Sequence, residues 1–156
     1  MTKSGPETGE HNDAALEAVR GFARAVRILE RSSRELSMPH YRVLASVATG
    51  EERASRVAER LELGRPAISS AVEALCAHGF MERREVEGDQ RAVDLRVTPE
   101  GAVVLERVER EMTEALRALC ARIDGGEQLI ASLAALDGAV DALYAEKRAS
   151  RGGASR

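Results

Sequence analysis

ASRVAERLELGRPAISSAVEALCAHGFMERREVEGDQRAVDLRV, residues 54–97, is the stretch on which the fold turns. It opens with a short amphipathic segment, Ala54 to Leu61, in which Val57, Ala58 and Leu61 share one side of a helix. Leu63-Gly64 makes a turn, and a second helix follows from Arg65. There Ile68, Ala71, Val72 and Leu75 fall on one face, Pro66, Ser70 and Glu73 lie opposite, and Ala67 and Ser69 occupy the flanks. Gly79 suits the left-handed backbone that ends helices. From Phe80 to Val97 the period becomes alternating, with Val93, Leu95 and Val97 on one side and Ala92, Asp94 and Arg96 on the other. This predicts a strand pair joined through Glu87-Gly88-Asp89-Gln90 and flanked by Arg83, Arg84 and Arg91.

On the N-terminal side, residues 1–12 read as a flexible leader and residues 13–36 as one long helix capped by Asp13. Leu16, Val19, Phe22, Ala23, Val26, Leu29 and Leu36 recur along it at helical spacing, with Arg20, Arg24, Arg27, Arg31 and Arg34 between them. Ser37-Met38-Pro39 breaks that helix and starts another, because proline suits a first helical turn and disfavours helix in the residue before it. Tyr41, Val43, Leu44 and Val47 then supply a short apolar stripe. After the strand pair, Thr98-Pro99-Glu100 combines a capping hydroxyl, a first-position proline and an early acidic residue, all signals of a helix start. Apolar residues recur at Leu105, Val108, Met112, Leu116, Leu119 and Ile123. Beyond Asp124-Gly125-Gly126 they recur at Leu129, Leu133, Leu136, Val140 and Leu143 with the three-four spacing of a coiled-coil seam. Residues 149–156, rich in Gly, Ser and Arg, read as a disordered tail.

The bulk composition agrees with a mainly α chain of one domain's length. With 156 residues, aromatic residues at 3% and no Trp, the core must be built from Leu, Val, Ile and Ala, which favours helices. Net charge is -3, so the whole chain carries no basic signature. All the basic residues except Lys3 and Lys147 are arginine, a bias that a GC-rich coding sequence produces as readily as selection for phosphate contacts. Cys76 and Cys120 are isolated, and His11, His40 and His78 match no metal-ligand spacing, so neither a metal nor another cofactor is expected. No unbroken apolar run approaches the ~18 residues of a membrane span, and the polar N-terminus lacks a signal-peptide core. A cytoplasmic location follows as the expectation. No nucleophile-base pair, paired carboxylates or phosphate-binding Gly loop points to an enzyme.

A short helix, a tight turn, a second helix with a small polar outer face and then a hairpin is the order of a winged helix-turn-helix. The second helix can enter a major groove because Pro66, Ala67, Ser69 and Ser70 are small or hydrogen-bonding, and Arg65 adds charge at its start. Arg53, Arg56 and Arg84 are placed to reach phosphates. The arginines of residues 53–91 are nonetheless offset by Glu59, Glu62, Glu73, Glu82, Glu85, Glu87 and Asp89, so their side of the molecule matters more than their number.

Residues 36–101 resemble the MarR family of transcription regulators. LSMPHYRVLASV, Leu36 to Val47, is similar to that family's second helix, and Ala54 to Arg84 to its helix-turn-helix and first wing strand. The family's wing carries an Asp-x-Arg, an alternating strand and a Leu/Val-Thr-x-x-Gly, matched here by Asp89, Arg91, Val97, Thr98 and Gly101. The resemblance implies that Arg91 enters the minor groove and that Asp89 braces the wing and orients it; narrow A·T-rich grooves supply the driving potential. Gln90 and Ser70 stand where the family often has basic or larger polar residues, which lightens the charge at the reading surface.

The expected architecture is therefore a winged helix-turn-helix domain, 37–98, with a two- or three-stranded wing, between dimerisation helices at 13–36 and 99–148. The expected function is binding of double-stranded DNA at an inverted repeat by a homodimer, as a repressor, relieved by a small aromatic or anionic effector near His40, Tyr41 and Arg24. Two alternatives are a winged-helix module that contacts only proteins and a redox-sensing regulator using Cys76 or Cys120. Each cysteine sits in an apolar helical pattern, which favours burial over switching.

Overall fold

A computed structural model describes residues 7–50, 54–61, 64–86 and 89–153. The elements run in the order α1 (Glu7–Ser32), α2 (Met38–Ala48), α3 (Ala54–Leu61), α4 (Arg65–Ala77), β1 (Met81–Val86), β2 (Asp89–Val97), α5 (Pro99–Cys120) and α6 (Gly126–Gly153). Helices α3 and α4 keep the boundaries and faces expected from their periodicity. Ser37 caps α2, its hydroxyl accepting from His40 N–H at 3.5 Å with Pro39 in the first turn.

Helix α2 is the platform of the winged lobe. Its Val43 and Leu44 are wholly buried, and it packs against α3, α4, β2 and α5. Around it close Val57 of α3, Ile68, Ala71, Val72 and Leu75 of α4, Leu95 of β2, and Val104, Leu105 and Val108 of α5. Burying one such side chain is worth ~1.5–3 kcal/mol, so this cluster, rather than helix propensity, holds the short helices in place. Helices α1 and α6 both pack on α5, which leaves them as arms beside the lobe.

The structure corrects five sequence expectations. Helix α1 spans Glu7–Ser32, so the leader expected at 1–12 is helical from Glu7 onward. The same helix ends at Ser32 and not at Leu36. Ser32 Oγ donates to Leu29 O at 2.7 Å and Ser33 Oγ accepts from Glu35 N–H at 3.4 Å, and serine side chains that bond the local backbone compete with helix. Leu36 leaves the α1 row altogether and joins the core of the lobe.

At the other end, the tail expected from 149 is helical to Gly153. Ala and Arg are good helix formers, and basic residues suit a helix C-terminus. The wing is two-stranded, and β2 already begins at Asp89, so the four-residue connection expected at 87–90 shrinks to 87–88. Finally, Gly126–Lys147 has the length and mean hydropathy of a membrane span, against the expectation of none. Its alanines and leucines raise the average while Asp137 and Asp141 interrupt any unbroken apolar run.

Candidate nucleic-acid interface

The turn before α4 determines what that helix can offer. Gly64 caps it in an extended conformation without a side-chain hydrogen bond, and its carbonyl accepts from Ala67 N–H at 3.0 Å and Ile68 N–H at 3.2 Å. With Ile68, Ala71, Val72 and Leu75 committed to the core, Pro66, Ala67, Ser69, Ser70 and Glu73 remain exposed. The first four form a low arc with two hydroxyls, able both to approach base edges closely and to hydrogen-bond them. The arc lies at the N-terminal half of the helix, where partial positive charge favours a phosphate.

The wing is anchored to α4 by a knot at its base. Gly79, at φ 76°, ends α4 in the left-handed region, and Phe80 N–H bonds back to Leu75 O at 2.9 Å. Thr98 then ties three elements together. Its hydroxyl donates to Gly79 O at 2.6 Å and accepts from Gly101 N–H at 3.0 Å, while its own N–H donates to Phe80 O at 3.1 Å. A Cβ on Gly101 would collide with the Phe80 carbonyl. That is the physical content of the Val-Thr-x-x-Gly pattern: α5 starts in backbone contact with Phe80, just beyond the end of α4.

Along the wing, the register sets Glu82 opposite Arg96 and Arg84 opposite Asp94. These four residues share the face away from Met81, Leu95 and Val97, and Arg84 Nε is engaged by Glu82 Oε1 at 3.2 Å. The charge of Arg84 is therefore partly spent within the wing. Arg96, exposed on that face, is a cation that periodicity alone did not assign to the site; only the strand register shows that it joins Arg84. Register slips toward the tip, where Val86 pairs with Asp89 directly after Glu85 pairs with Val93.

Of the residues singled out in the sequence, Pro66, Ala67, Ser69 and Ser70 come together on one exposed arc. Arg56 is exposed on α3 and Arg84 on β1, both elements packed against α4. Arg65 opens α4, and Asp89 and Arg91 belong to the start of β2; their side chains fall outside the described residues, as does the whole of Arg53.

The residues expected near an effector divide between two places. Arg24 lines an open groove of about 250 Å³ on α1 with Arg27, Ile28 and Arg31. His40 and Tyr41 lie on α2, and the half-buried Tyr41 hydroxyl is pushed above its ordinary pKa by burial and then by the carboxylates of Glu109 and Asp137. The surroundings of Tyr41 are thus acidic, and the α1 groove is basic. Burial also raises the Cys76 thiol, with Arg83 opposing, so that it stays protonated at neutral pH; Cys120 is buried. The raised Cys76 lacks the depressed pKa of a reactive thiol. Among the described residues no cluster of His, Cys, Asp or Glu is arranged to hold a metal ion.

These features define a winged helix-turn-helix. No family model and no curated protein matches the sequence. Solved structures do match, over nearly their whole length. A MarR family transcription regulator shares 16% identity at a TM-score of 0.70, covering 91% of this chain and 95% of its own. BpsR of Bordetella bronchiseptica, whose DNA binding is regulated by 6-hydroxynicotinic acid, shares 15% at 0.65, covering 81% and 98%. FabT of Streptococcus pneumoniae, solved in complex with DNA, shares 17% at 0.60, covering 86% and 98%. At these identities the likeness establishes the fold, which is that of known transcription regulators.

Proposed function

We propose that this chain is a MarR-type transcription regulator that binds an inverted-repeat DNA operator as a homodimer in the cytoplasm, acts as a repressor and is not an enzyme. The observation that carries this reading is the outer arc of α4: Pro66, Ala67, Ser69 and Ser70 are exposed on a helix that α3 and the wing flank. A helix read by a groove needs such a face, and a helix packed for structure alone does not. FabT, of the same fold, is solved on DNA, which supports the same use here. By the resemblance, Arg91 of the wing enters the minor groove braced by Asp89; Arg65 adds charge on the groove side at the start of α4, and Arg53, Arg56 and Arg84 reach phosphates.

Dimerisation is supported by the arms. Val19, Phe22 and Leu143 leave 65%, 52% and 50% of their surface exposed, and Leu16, Leu136 and Val140 extend the same rows. Rows of this kind mark an interaction surface, and a two-fold mate covers them while presenting two reading helices to half-sites about one DNA turn apart. A small aromatic or anionic effector bound beside the lobe shifts the spacing of those helices and weakens DNA binding by its differential affinity for the two arrangements. BpsR responds to an aromatic acid, and the Arg24 groove has the charge for such a ligand.

Selection of DNA from a random pool tests the reading. The expected outcome is an enriched inverted repeat, bound with an affinity that falls steeply with salt by about -0.9 in log-log slope per phosphate neutralised. Failure to enrich any sequence, together with binding indifferent to salt, refutes it in favour of a module that contacts only proteins.

A further inference from the structure

The last carbonyls of a helix have no partner within it, and α3 ends at Leu61. The Leu61 carbonyl is not left to solvent. It accepts a hydrogen bond at 3.3 Å from the Arg42 guanidinium, nineteen residues earlier on α2. Arg42 is half-buried and precedes Val43 and Leu44, the most deeply buried pair of the platform helix, so its stem leaves a rigid point. A cation at this place also meets the negative end of the α3 dipole.

The start of the next helix makes this bond consequential. Gly64, which precedes α4, has no side chain with which to cap it, and α4 begins with backbone bonds alone. Among the described residues, no capping side chain holds the start of α4. The α3 end is held by Arg42, and both helices pack against α2.

We propose that Arg42 is the positioning residue of the reading motif: by tying the Leu61 carbonyl to α2 it holds α3 against α4 and so sets the outer arc of α4. That the arc is set toward DNA rests on the proposed function; the clamp itself does not. Arg42 touches no base and acts only through α3.

The test compares the full-length wild type with Arg42→Met, which keeps the apolar stem, and Arg42→Lys, which keeps the charge. Amide hydrogen exchange is measured over peptides spanning residues 59–72, with affinity for a selected DNA site and a scrambled duplex measured in parallel. In Arg42→Met, exchange over this segment speeds up by about tenfold while that of α5 is unchanged, because one charged hydrogen bond is lost. Discrimination between the two duplexes falls by a similar factor, and Lys, lacking the planar fork, restores only part of both. Wild-type exchange in Arg42→Met overturns the proposal. So does a salt slope reduced by about 0.9 with exchange unchanged and full rescue by Lys, which identifies a plain phosphate contact. Should the wild type select no DNA, the exchange arm still decides the clamp, and the failure belongs to the functional reading.

Discussion

Gly101→Ala, set beside Gly138→Ala, asks whether the start of α5 really rests against the backbone that follows α4. Both glycines are helical, and in an open helix position the change to Ala stabilises by about 0.5–1 kcal/mol. Gly138 has nothing within 4 Å of where a Cβ would stand, so Gly138→Ala is expected to gain roughly this much. At Gly101 the added carbon would lie 2.9 Å from Phe80 Cα and nearer still to its carbonyl carbon and oxygen, against an ordinary contact of 3.4–4 Å. All three are backbone atoms, so no flexible side chain can yield. The first turn of α5 must retreat by about an ångström, which stretches the Thr98 bonds to Gly79 and Gly101; overpacking of this kind costs ~1–3 kcal/mol or more. After the helix-propensity gain, a net loss of about 1 kcal/mol or more is expected. Urea unfolding followed by circular dichroism at fixed protein concentration reads both changes. Equal shifts of the same sign in the two variants would refute the close contact, and with it the account of how the wing base is anchored.

The alkaline limb of stability reports on Tyr41. Its folded pKa lies above the ordinary value of 10.0, so below that ordinary value burial of the neutral phenol costs nothing in ionisation, and as pH rises past it the unfolded state ionises first and is favoured. Tyr41→Phe should flatten the fall in thermal midpoint above about pH 10, and an unchanged profile would refute the assignment. In a Cys120→Ser background, alkylation of Cys76 should have a pH midpoint above the free-thiol value of 9.0; a midpoint below it would revive a thiol switch. Phe22→Glu with Leu143→Glu should convert the particle to a monomer by light scattering while leaving the helical spectrum intact, and a persistent dimer would place the two-fold elsewhere. Arg56→Ala should weaken DNA binding equally on all sequences, whereas Ser69→Ala with Ser70→Ala should alter which sequence is selected; interchanged effects would reverse their roles.

Much of this fold was legible because the signals were local. Ser37 with Pro39, and Thr98 with Pro99, announce helix starts within four residues, and Gly79 announces an end. The inward faces of α3 and α4 follow from spacing alone, and so does the exposed arc of Pro66, Ala67, Ser69 and Ser70. The termini misled for an equally local reason. Polar and glycine-containing composition at residues 7–12 and 149–153 reads as disorder, while both segments continue the long helices α1 and α6 beside them.

Other features depend on residues far apart in the chain. Leu36 lies one helical step beyond the α1 row, yet it turns into the lobe because Ser32 and Ser33 bond the local backbone and end the helix first. Pairing of Glu82 with Arg96 and Arg84 with Asp94 follows from a hairpin register that slips near its tip, which alternation cannot foresee. Arg107 on α5 reaches Glu35 at 2.6 Å across 72 residues, and Arg42 finds the end of α3 only once α2 is packed. Periodicity and capping thus determined which residues point inward and where most helices begin, since both act within a turn or two of the chain. Only the tertiary structure decided which charges are spent on one another and what holds α3 and α4 in place, because those bonds join segments that nothing in the local sequence brings together.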